Sequence, residues 1–441
     1  MKGSARTTKP TYLCQQCGHR STKWMGFCPQ CRSPEALAET APVRSGAGQP
    51  GDFDVVAANA PRTTVKDRHP TGIGELDRVL GGGIVPGAAI LVGGEPGVGK
   101  STLLLQAADR IAEAFGPVLV ATAEESTHQV QMRARRVGVQ SGDVSIASIH
   151  DVDEIIALAT DRSPAVVIVD SIQTVSTLDT SGSAGGVAQV RDSASRLISF
   201  AKASGTPIVL VGHVTKDGSI AGPRTLEHMV DVVLYLEGDA DVGLRFLRSI
   251  KNRYGAVNEV GVFDMTAEGL AEVPDPSGLL VAHRDESAAG SVLFPTIEGK
   301  RPVVVEIQAL VVASDAAQPR RSVTGLPPSR VHQILGVLSR HGGFPMAKLE
   351  VYVAVMGGIK VTEPAADLPV ALAIASAHTQ IALNRISAWG ELGLTGDIRP
   401  SSRPAVRTGE IERISAGPII SPSTGYTRLS DALASAAVSL V

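Results

Sequence analysis

At 441 residues, 43% hydrophobic but only 3% aromatic, the chain has apolar material for two or three domains with cores of Val, Leu, Ile and Ala. A formal net charge of −3 excludes a bulk polycation, so nucleic acid would have to be met by a local basic surface, concentrated for example by oligomerisation. No apolar run approaches the roughly 20 residues of a membrane span, and polar residues rather than an apolar stretch follow Lys2, Arg6 and Lys9. A cytoplasmic, soluble protein without a signal peptide or membrane contact is expected.

The chain opens on Cys14-x-x-Cys17 and Cys28-x-x-Cys31, its only cysteines. Two such knuckles can converge four thiolates on one tetrahedral Zn²⁺ and close a ribbon too small to fold on its own core. His19 is then a bystander, because four cysteines complete the shell. Lys23, Trp24 and Phe27 between the knuckles are free to meet nucleic acid or protein, and a purely structural clip is the alternative. Residues 1–35 read as a zinc finger and residues 36–62, rich in Ala, Pro and Gly, as a linker. From 63 to 275 short apolar strands alternate with helical stretches, the pattern of a mainly parallel α/β sheet. Its clearest strands are 88–92, 118–123, 165–169, 207–211 and 232–236. Pro274-Asp275-Pro276-Ser277-Gly278 reads as a boundary to a second α/β domain over 276–441. That domain has strands expected at 303–312 and 351–356, a helix at 329–339 and a buried helix at 366–377. Gly409, Gly417 and Pro418 interrupt the stretch from 403 to 418, which therefore reads poorly as helix.

Gly94-Glu95-Pro96-Gly97-Val98-Gly99-Lys100-Ser101 fits G-x-x-x-x-G-K-[ST] between an apolar strand and a helix opened by Thr102-Leu103-Leu104. Glycines at these spacings turn backbone N–H groups toward phosphates, and the helix N-terminus favours negative charge. Lys100 is expected to reach the β- and γ-phosphates of ATP and Ser101 to offer its hydroxyl to Mg²⁺. Asp170 ends the apolar run 165–169 as a Walker B carboxylate and is expected to hold Mg²⁺ directly or through water. Glu124 and Glu125 follow the strand 118–123 at the edge where ligands gather in open α/β sheets, so one of them is the candidate base for water. His213 ends a later strand and is the candidate sensor of the γ-phosphate. The loop after it, Val214-Thr215-Lys216-Asp217-Gly218 to Arg224, is a candidate DNA loop, and Ser181–Gly186 leading to Gln189 and Arg191 is a second. Lys251-Asn252-Arg253-Tyr254-Gly255 places two cations and a ring after the strand 244–250; a solvated turn is one reading, a reach to a neighbour's triphosphate the other.

Together these parts resemble the bacterial RadA (Sms) family of DNA-repair proteins over most of the chain. The resemblance rests on the four-cysteine finger, Gly94–Ser101, Glu124-Glu125-Ser126, Val169-Asp170-Ser171-Ile172-Gln173, Gly212–Gly218 and Lys251–Gly255, the last with Tyr254 where the family usually has Phe. It implies a RecA-like ATPase core at 63–275 that assembles as a homohexamer around DNA, with ATP between subunits and Lys251 and Arg253 acting across the interface. It further implies branch migration of recombination intermediates alongside RecA, on single-stranded DNA lined by 214–228. A Lon-protease-like domain at 276–441 is also implied. There Ala365 stands at the expected nucleophile position and Ser401-Ser402-Arg403 supplies no lysine partner, so peptide hydrolysis is not expected. Support of ring assembly and DNA contacts through Arg320, Arg321, Arg330 and Lys348 are the expected roles instead. An ATP-dependent protease and a nucleotide-switched DNA-binding scaffold are the rival functions.

Overall fold

The computed structural model describes residues 11–14, 16, 20–21, 24–34 and 37–40 near the N-terminus, then 68–213, 225–238 and 243–437. Cys17, His19, Lys23, the stretch 41–67 and the expected DNA loop 214–224 lie outside the described residues. The chain divides into two compact units, Met1–Val65 and Lys66–Val441.

In the first unit β1 (Thr11–Cys14) pairs antiparallel with β2 (Arg20–Ser21) and with β3 (Leu37–Thr40). The ribbon therefore extends to Thr40 instead of ending near Glu35. In sequence Leu37–Thr40 reads as the start of the linker because its four residues carry no sustained pattern; they form a strand through ladder bonds to β1.

The second unit begins with α1 (Gly74–Leu80), β4 (Ala89–Gly94), α2 (Lys100–Phe115), β5 (Val118–Thr122) and α3 (Thr127–Arg136). There follow β6 (Val144–Ser148), α4 (Val152–Arg162), β7 (Val166–Asp170), α5 (Val187–Ser204), β8 (Ile208–Val211), α6 (Thr225–Met229) and β9 (Val232–Glu237). An antiparallel extension, β10 (Leu244–Asn252), β11 (Val260–Thr266) and β12 (Gly269–Glu272), completes a sheet in the order β12-β11-β10-β9-β4-β8-β7-β5-β6. Strands β4 to β9 run parallel, and β4, β5 and β8 are buried along their whole length. That explains their uninterrupted apolar runs, since helices cover both faces of such a sheet. Alternation decides which face each residue serves. Ile90 and Val92 pack with Leu103, Leu104 and Ile111 of α2, while Ala89 and Leu91 pack with Val190, Leu197 and Ala201 of α5. Each large aliphatic side chain so buried contributes about 1.5–3 kcal/mol.

Beyond β12, α7 (Pro276–Val281) is capped by Asp275, whose carboxylate accepts from Gly278 N at 2.9 Å. A second sheet includes β13 (Ser291–Glu298), β14 (Arg301–Ala313), β15 (Arg321–Thr324) and β16 (Leu349–Val355), with α8 (Pro328–His341) and α9 (Asp367–Thr379) against it. Helix α9 is buried from Asp367 to Ala377, which matches its unbroken apolar sequence. The short β17 (Ser387–Ala388) and β20 (Ile419–Ile420) extend this sheet, β18 (Glu391–Leu392) and β19 (Ile398–Arg399) pair separately, and α11 (Leu429–Ser435) closes the described chain. The stretch that reads poorly as helix contains α10 (Pro404–Arg413), a correction. Gly409 sits within it, while the buried Arg407 anchors the helix by donating to Ser402 O at 3.1 Å, to Pro295 O and to Glu363. Local glycine preference is overridden by this tertiary anchor.

The two sheets of this unit are joined by charge. Glu75 of α1, 3% exposed, accepts from Val262 N at 2.8 Å and pairs with Arg301 at the start of β14. Arg301 also donates to Pro274 O at 2.6 Å, so the Pro-rich segment read as a boundary is clasped rather than loose. Replacing Arg301 with Met leaves the buried Glu75 carboxylate with the half-exposed Arg78, at 3.4 Å, and the Val262 amide as its remaining partners. Chemical denaturation should show a loss of about 3–5 kcal/mol; a loss under about 1 kcal/mol would deny the clasp this role.

Candidate nucleotide site and its distant cations

The phosphate loop leaves β4 at Gly94 and re-enters regular structure at Lys100, the first residue of α2. Two of its glycines have no substitute. Gly94 has φ +154° and a Cβ there would lie 2.4 Å from Leu236 O; Gly99 has φ +115° and would meet Met265 Cε at 2.7 Å. Val98 is buried and pins the loop to the core, whereas Glu95, Pro96 and Gly97 are exposed, and Ser101 and Thr102 are half-buried in the first turn of α2.

Lys100 is 4% exposed, and its ammonium donates to Gly94 O at 2.8 Å and Glu95 O at 3.0 Å. Burial holds it below the usual lysine range although Asp170 and Glu124 pull the other way. Ser101 Oγ donates to Asp170 Oδ2 at 2.5 Å, and burial pushes the Asp170 carboxyl up against that bond. A buried cation and a half-buried carboxylate, each with its charged form disfavoured by burial, thus share this site. This donor set fits a Mg²⁺-bound triphosphate, which would bring each a counter-charge.

Strand order brings the rest together. β8 lies between β4 and β7, so His213 just beyond its end stands between the phosphate loop and Asp170; β5, on the other side of β7, brings the two glutamates. The two then diverge. Glu124 accepts from Ser171 Oγ at 2.5 Å and lies 3.0 Å from His213 Nε2. The His213 bond above all, then that of Ser171 against burial, holds its carboxyl below the usual glutamate range. Glu125 instead pairs with Arg133 of α3 at 2.5 Å. The capping box between Ser126 and Gln129 starts α3 at once and fixes this divergence. Sequence reasoning misses Ser171 and Arg133. Ser171 follows the Walker B aspartate and is open to notice, but nothing local marks Arg133.

Lys251 and Arg253 do not join this group. Lys251 pairs with Val233, itself level with Leu91, so it lies three residues, about 10 Å, behind Gly94 at the amino end of the parallel strands. Its ammonium donates to Glu227 O and Val230 O, each at 2.8 Å, around the end of α6. Burial, then Arg253 beside it, holds Lys251 below the usual lysine range. Arg253 pairs with Asp231 at 3.3 Å and its side chain is 57% exposed. The hydroxyl that distinguishes Tyr254 from Phe accepts from Lys202 Nζ at 3.2 Å.

Other expected contacts are placed as follows. The segment after β7 is tied by the buried Gln189, which donates to Thr177 O at 3.1 Å and Gly182 O at 3.3 Å. Arg330 is engaged by Asp367 at 2.9 Å and Arg321 by Met346 O at 3.0 Å, while Arg320 and Lys348 are exposed. Arg330 is thus tied into the fold through the buried Asp367. Ala365 is 3% exposed.

In the N-terminal unit the sulfurs of Cys14, Cys28 and Cys31 lie within 4.8 Å of one another, and those of Cys14 and Cys31 are 3.6 Å apart. A disulfide needs about 2.05 Å, whereas tetrahedral Zn–S bonds of about 2.3 Å put sulfurs about 3.8 Å apart. The cluster fits zinc. Ser33 Oγ lies 3.4 Å from Cys31 Sγ and donates its own hydroxyl to Gln16 Oε1 at 2.7 Å, orienting the exposed sulfur. Trp24 and Phe27 are 61% and 55% exposed. Among the described residues no helix is long and apolar enough to cross a membrane.

Comparison with known proteins agrees with this geometry. A rubredoxin metal-binding domain model matches residues 12–39 and an AAA domain model matches residues 58–219. The DNA repair protein RadA of Pseudomonas aeruginosa is 47% identical over 403 residues, covering 89% of this chain and 88% of the relative. That of Bacillus subtilis is 41% identical over 433 residues, covering 96% and 94%. Among solved structures, a KaiC-like protein of Pyrococcus horikoshii aligns with TM-score 0.40 and 20% identity, covering 47% of this chain and 99% of that one.

Gly99→Ala should abolish nucleotide binding in a fluorescent-ATP titration while zinc content stays unchanged; wild-type affinity would contradict the crowding against Met265. Conversely, Cys28→Ser should lose metal in elemental analysis and leave ATP affinity intact; full zinc retention would remove Cys28 from the ligand set.

Proposed function

The chain belongs to the RadA family of DNA repair proteins, and on that premise we propose an ATP-driven motor that moves on single-stranded DNA and promotes branch migration of recombination intermediates alongside RecA. In this chain a zinc ribbon precedes a RecA-like P-loop ATPase of DNA repair that uses ATP, Mg²⁺ and Zn²⁺. One observation supports the finer reading most. Lys100, Ser101, Asp170, Glu124 and His213 meet at one edge of the sheet while Lys251 and Arg253 sit at the other. A ring, proposed as a hexamer, lets one subunit's cations face the next subunit's nucleotide.

On this reading Lys100 exchanges its two loop carbonyls for the β- and γ-phosphate oxygens. Ser101 and Asp170 hold Mg²⁺, which neutralises phosphate charge when bound. Glu124, kept as an anion by His213 and Ser171, takes a proton from water as its oxygen attacks the γ-phosphorus in line and ADP leaves. His213 bridges the γ-phosphate and Glu124 and so reports occupancy to the loop that follows it. Glu125, held by Arg133, braces α3. Lys251 and Arg253 of the neighbouring subunit stabilise the charge on the transferring phosphoryl group. Residues 214–228 line the DNA path by phosphate contacts, which predicts salt-sensitive binding with little sequence preference. The C-terminal domain, proposed as Lon-like, supports assembly without hydrolysing peptides, because Ala365 has no hydroxyl to acylate. A cytoplasmic location follows from this role.

ATP hydrolysis should rise with single-stranded DNA, and Lys100→Ala should abolish it. Hydrolysis indifferent to DNA would favour a nucleotide-switched scaffold. Glu124→Gln should lower kcat by about 10²–10⁴-fold with ATP affinity kept, whereas Glu125→Gln should cost far less. The reverse ranking would exchange their roles.

A further inference from the structure

Asp231 is the most heavily used carboxylate at the amino edge of the sheet, and neither the phosphate site nor the fold of β9 alone accounts for it. It lies just before β9 and is 3% exposed. Its Oδ2 accepts from the amide of Ala89, the first residue of β4, at 3.0 Å, and also pairs with Lys202 of α5. Its Oδ1 faces Arg253 Nη1 at 3.3 Å, and its carbonyl accepts from Arg253 N at 3.0 Å. One buried residue thus grips both the backbone and the guanidinium of Arg253 and fixes them to the strand that carries the phosphate loop. Burial raises the Asp231 carboxyl, but the Ala89 amide and Lys202 outweigh it and leave it below the usual aspartate range.

A purely structural carboxylate would need only the amide and one cation. The second oxygen is instead spent on a side chain that is 57% exposed, while the backbone carbonyl continues the β9–β10 ladder to Arg253 N. Exposed arginines sample many rotamers, and a misplacement of about 1 Å at a reacting group costs about 10²-fold in rate. We infer that Asp231 is a positioning residue that aims Arg253 at the nucleotide of the adjacent subunit, holding the guanidinium at one end while the rest stays open. Lys202, together with the Tyr254 hydroxyl, steadies the far side of the same carboxylate. This inference rests on the proposed action of Arg253 between subunits.

Asp231→Asn keeps an acceptor for the Ala89 amide and removes the charge that holds Arg253. Full-length homomeric D231N should lose about 10²-fold in kcat with KM for ATP within about threefold of wild type. Co-assembled one to one with K100A, D231N should regain activity at least about tenfold above the sum of the two alone, because its intact ATP site then faces an intact Arg253. Co-assembled with R253A it should stay at the sum. The pair R253A with K100A is the control. Without a gain there, the intersubunit reading itself has failed; a gain there with none for D231N and K100A would overturn the role of Asp231. K202Q should keep kcat within about twofold, and a loss equal to that of D231N would assign the effect to Lys202 instead. If thermal melting shows D231N unfolded, D231E retains the charge but moves the carboxylate, and the same mixing pattern is required of it.

Discussion

Everything in this ATPase follows from the parallel register of β9, β4, β8, β7 and β5. A parallel sheet has two unlike edges, and ligands gather at the carboxyl one. The register assigns Lys100, Asp170, Glu124 and His213 to that edge and Lys251 and Arg253 to the opposite one. Lys251 is level with Leu91 and turns its ammonium further back, to Val230 O, while Arg253 is held by Asp231 just before β9. On the proposed reading Lys251 and Arg253 would therefore serve the nucleotide of another chain, beside the Lys100 and Arg133 that each chain keeps at its own site.

Local electrostatics agree with a site built in halves. Burial disfavours the charged form of both Lys100 and Asp170; Lys100 is held by two loop carbonyls and Asp170 by Ser101. Such groups are held ready at a cost to the fold, and the ligand's charges offset that cost on binding, which is the logic of electrostatic preorganisation. Glu124 is the exception, since its neighbours favour the anion. The neighbours of Glu124 thus keep it an anion, whereas burial works against the charges of Lys100 and Asp170. At the amino edge Asp231 keeps Arg253 in reach of solvent without letting it wander. The clasp between Glu75 and Arg301 joins these parts to the second sheet, within which Arg407 anchors α10 on Glu363.

Much of this is legible in the sequence where local chemistry and tertiary demand coincide. The loop 94–101 and the run 165–170 announce themselves because phosphate and metal contact restrict residue type at fixed spacing. Strands β4, β5, β7, β8 and β9 can be located within two residues at each end because strands covered on both faces are continuously apolar. β6 escapes such a reading: Val144-Ser145-Ile146-Ala147-Ser148 is an edge strand whose apolar run is interrupted by Ser145 and Ser148. Choosing between Glu124 and Glu125 is beyond a linear reading, since adjacent residues in the turn to α3 point to different neighbours. Asp231 and Arg133 carry no motif, and their meaning lies in partners 22, 142 and 8 positions away. Gly409 misleads for the same reason, as Arg407 ties α10 to groups outside it.

The central claim is that the nucleotide site is completed by a second copy of this chain. An electron cryomicroscopy map of the protein assembled on single-stranded DNA with a transition-state mimic of ATP hydrolysis tests it most directly. The account predicts a nucleotide contacted by Lys100, Ser101 and Asp170 of one subunit, with Arg253 of the adjacent subunit about 3 Å from the γ-phosphate position. A map in which every nucleotide is enclosed by one chain, with Arg253 turned to solvent on its own Asp231, would contradict it.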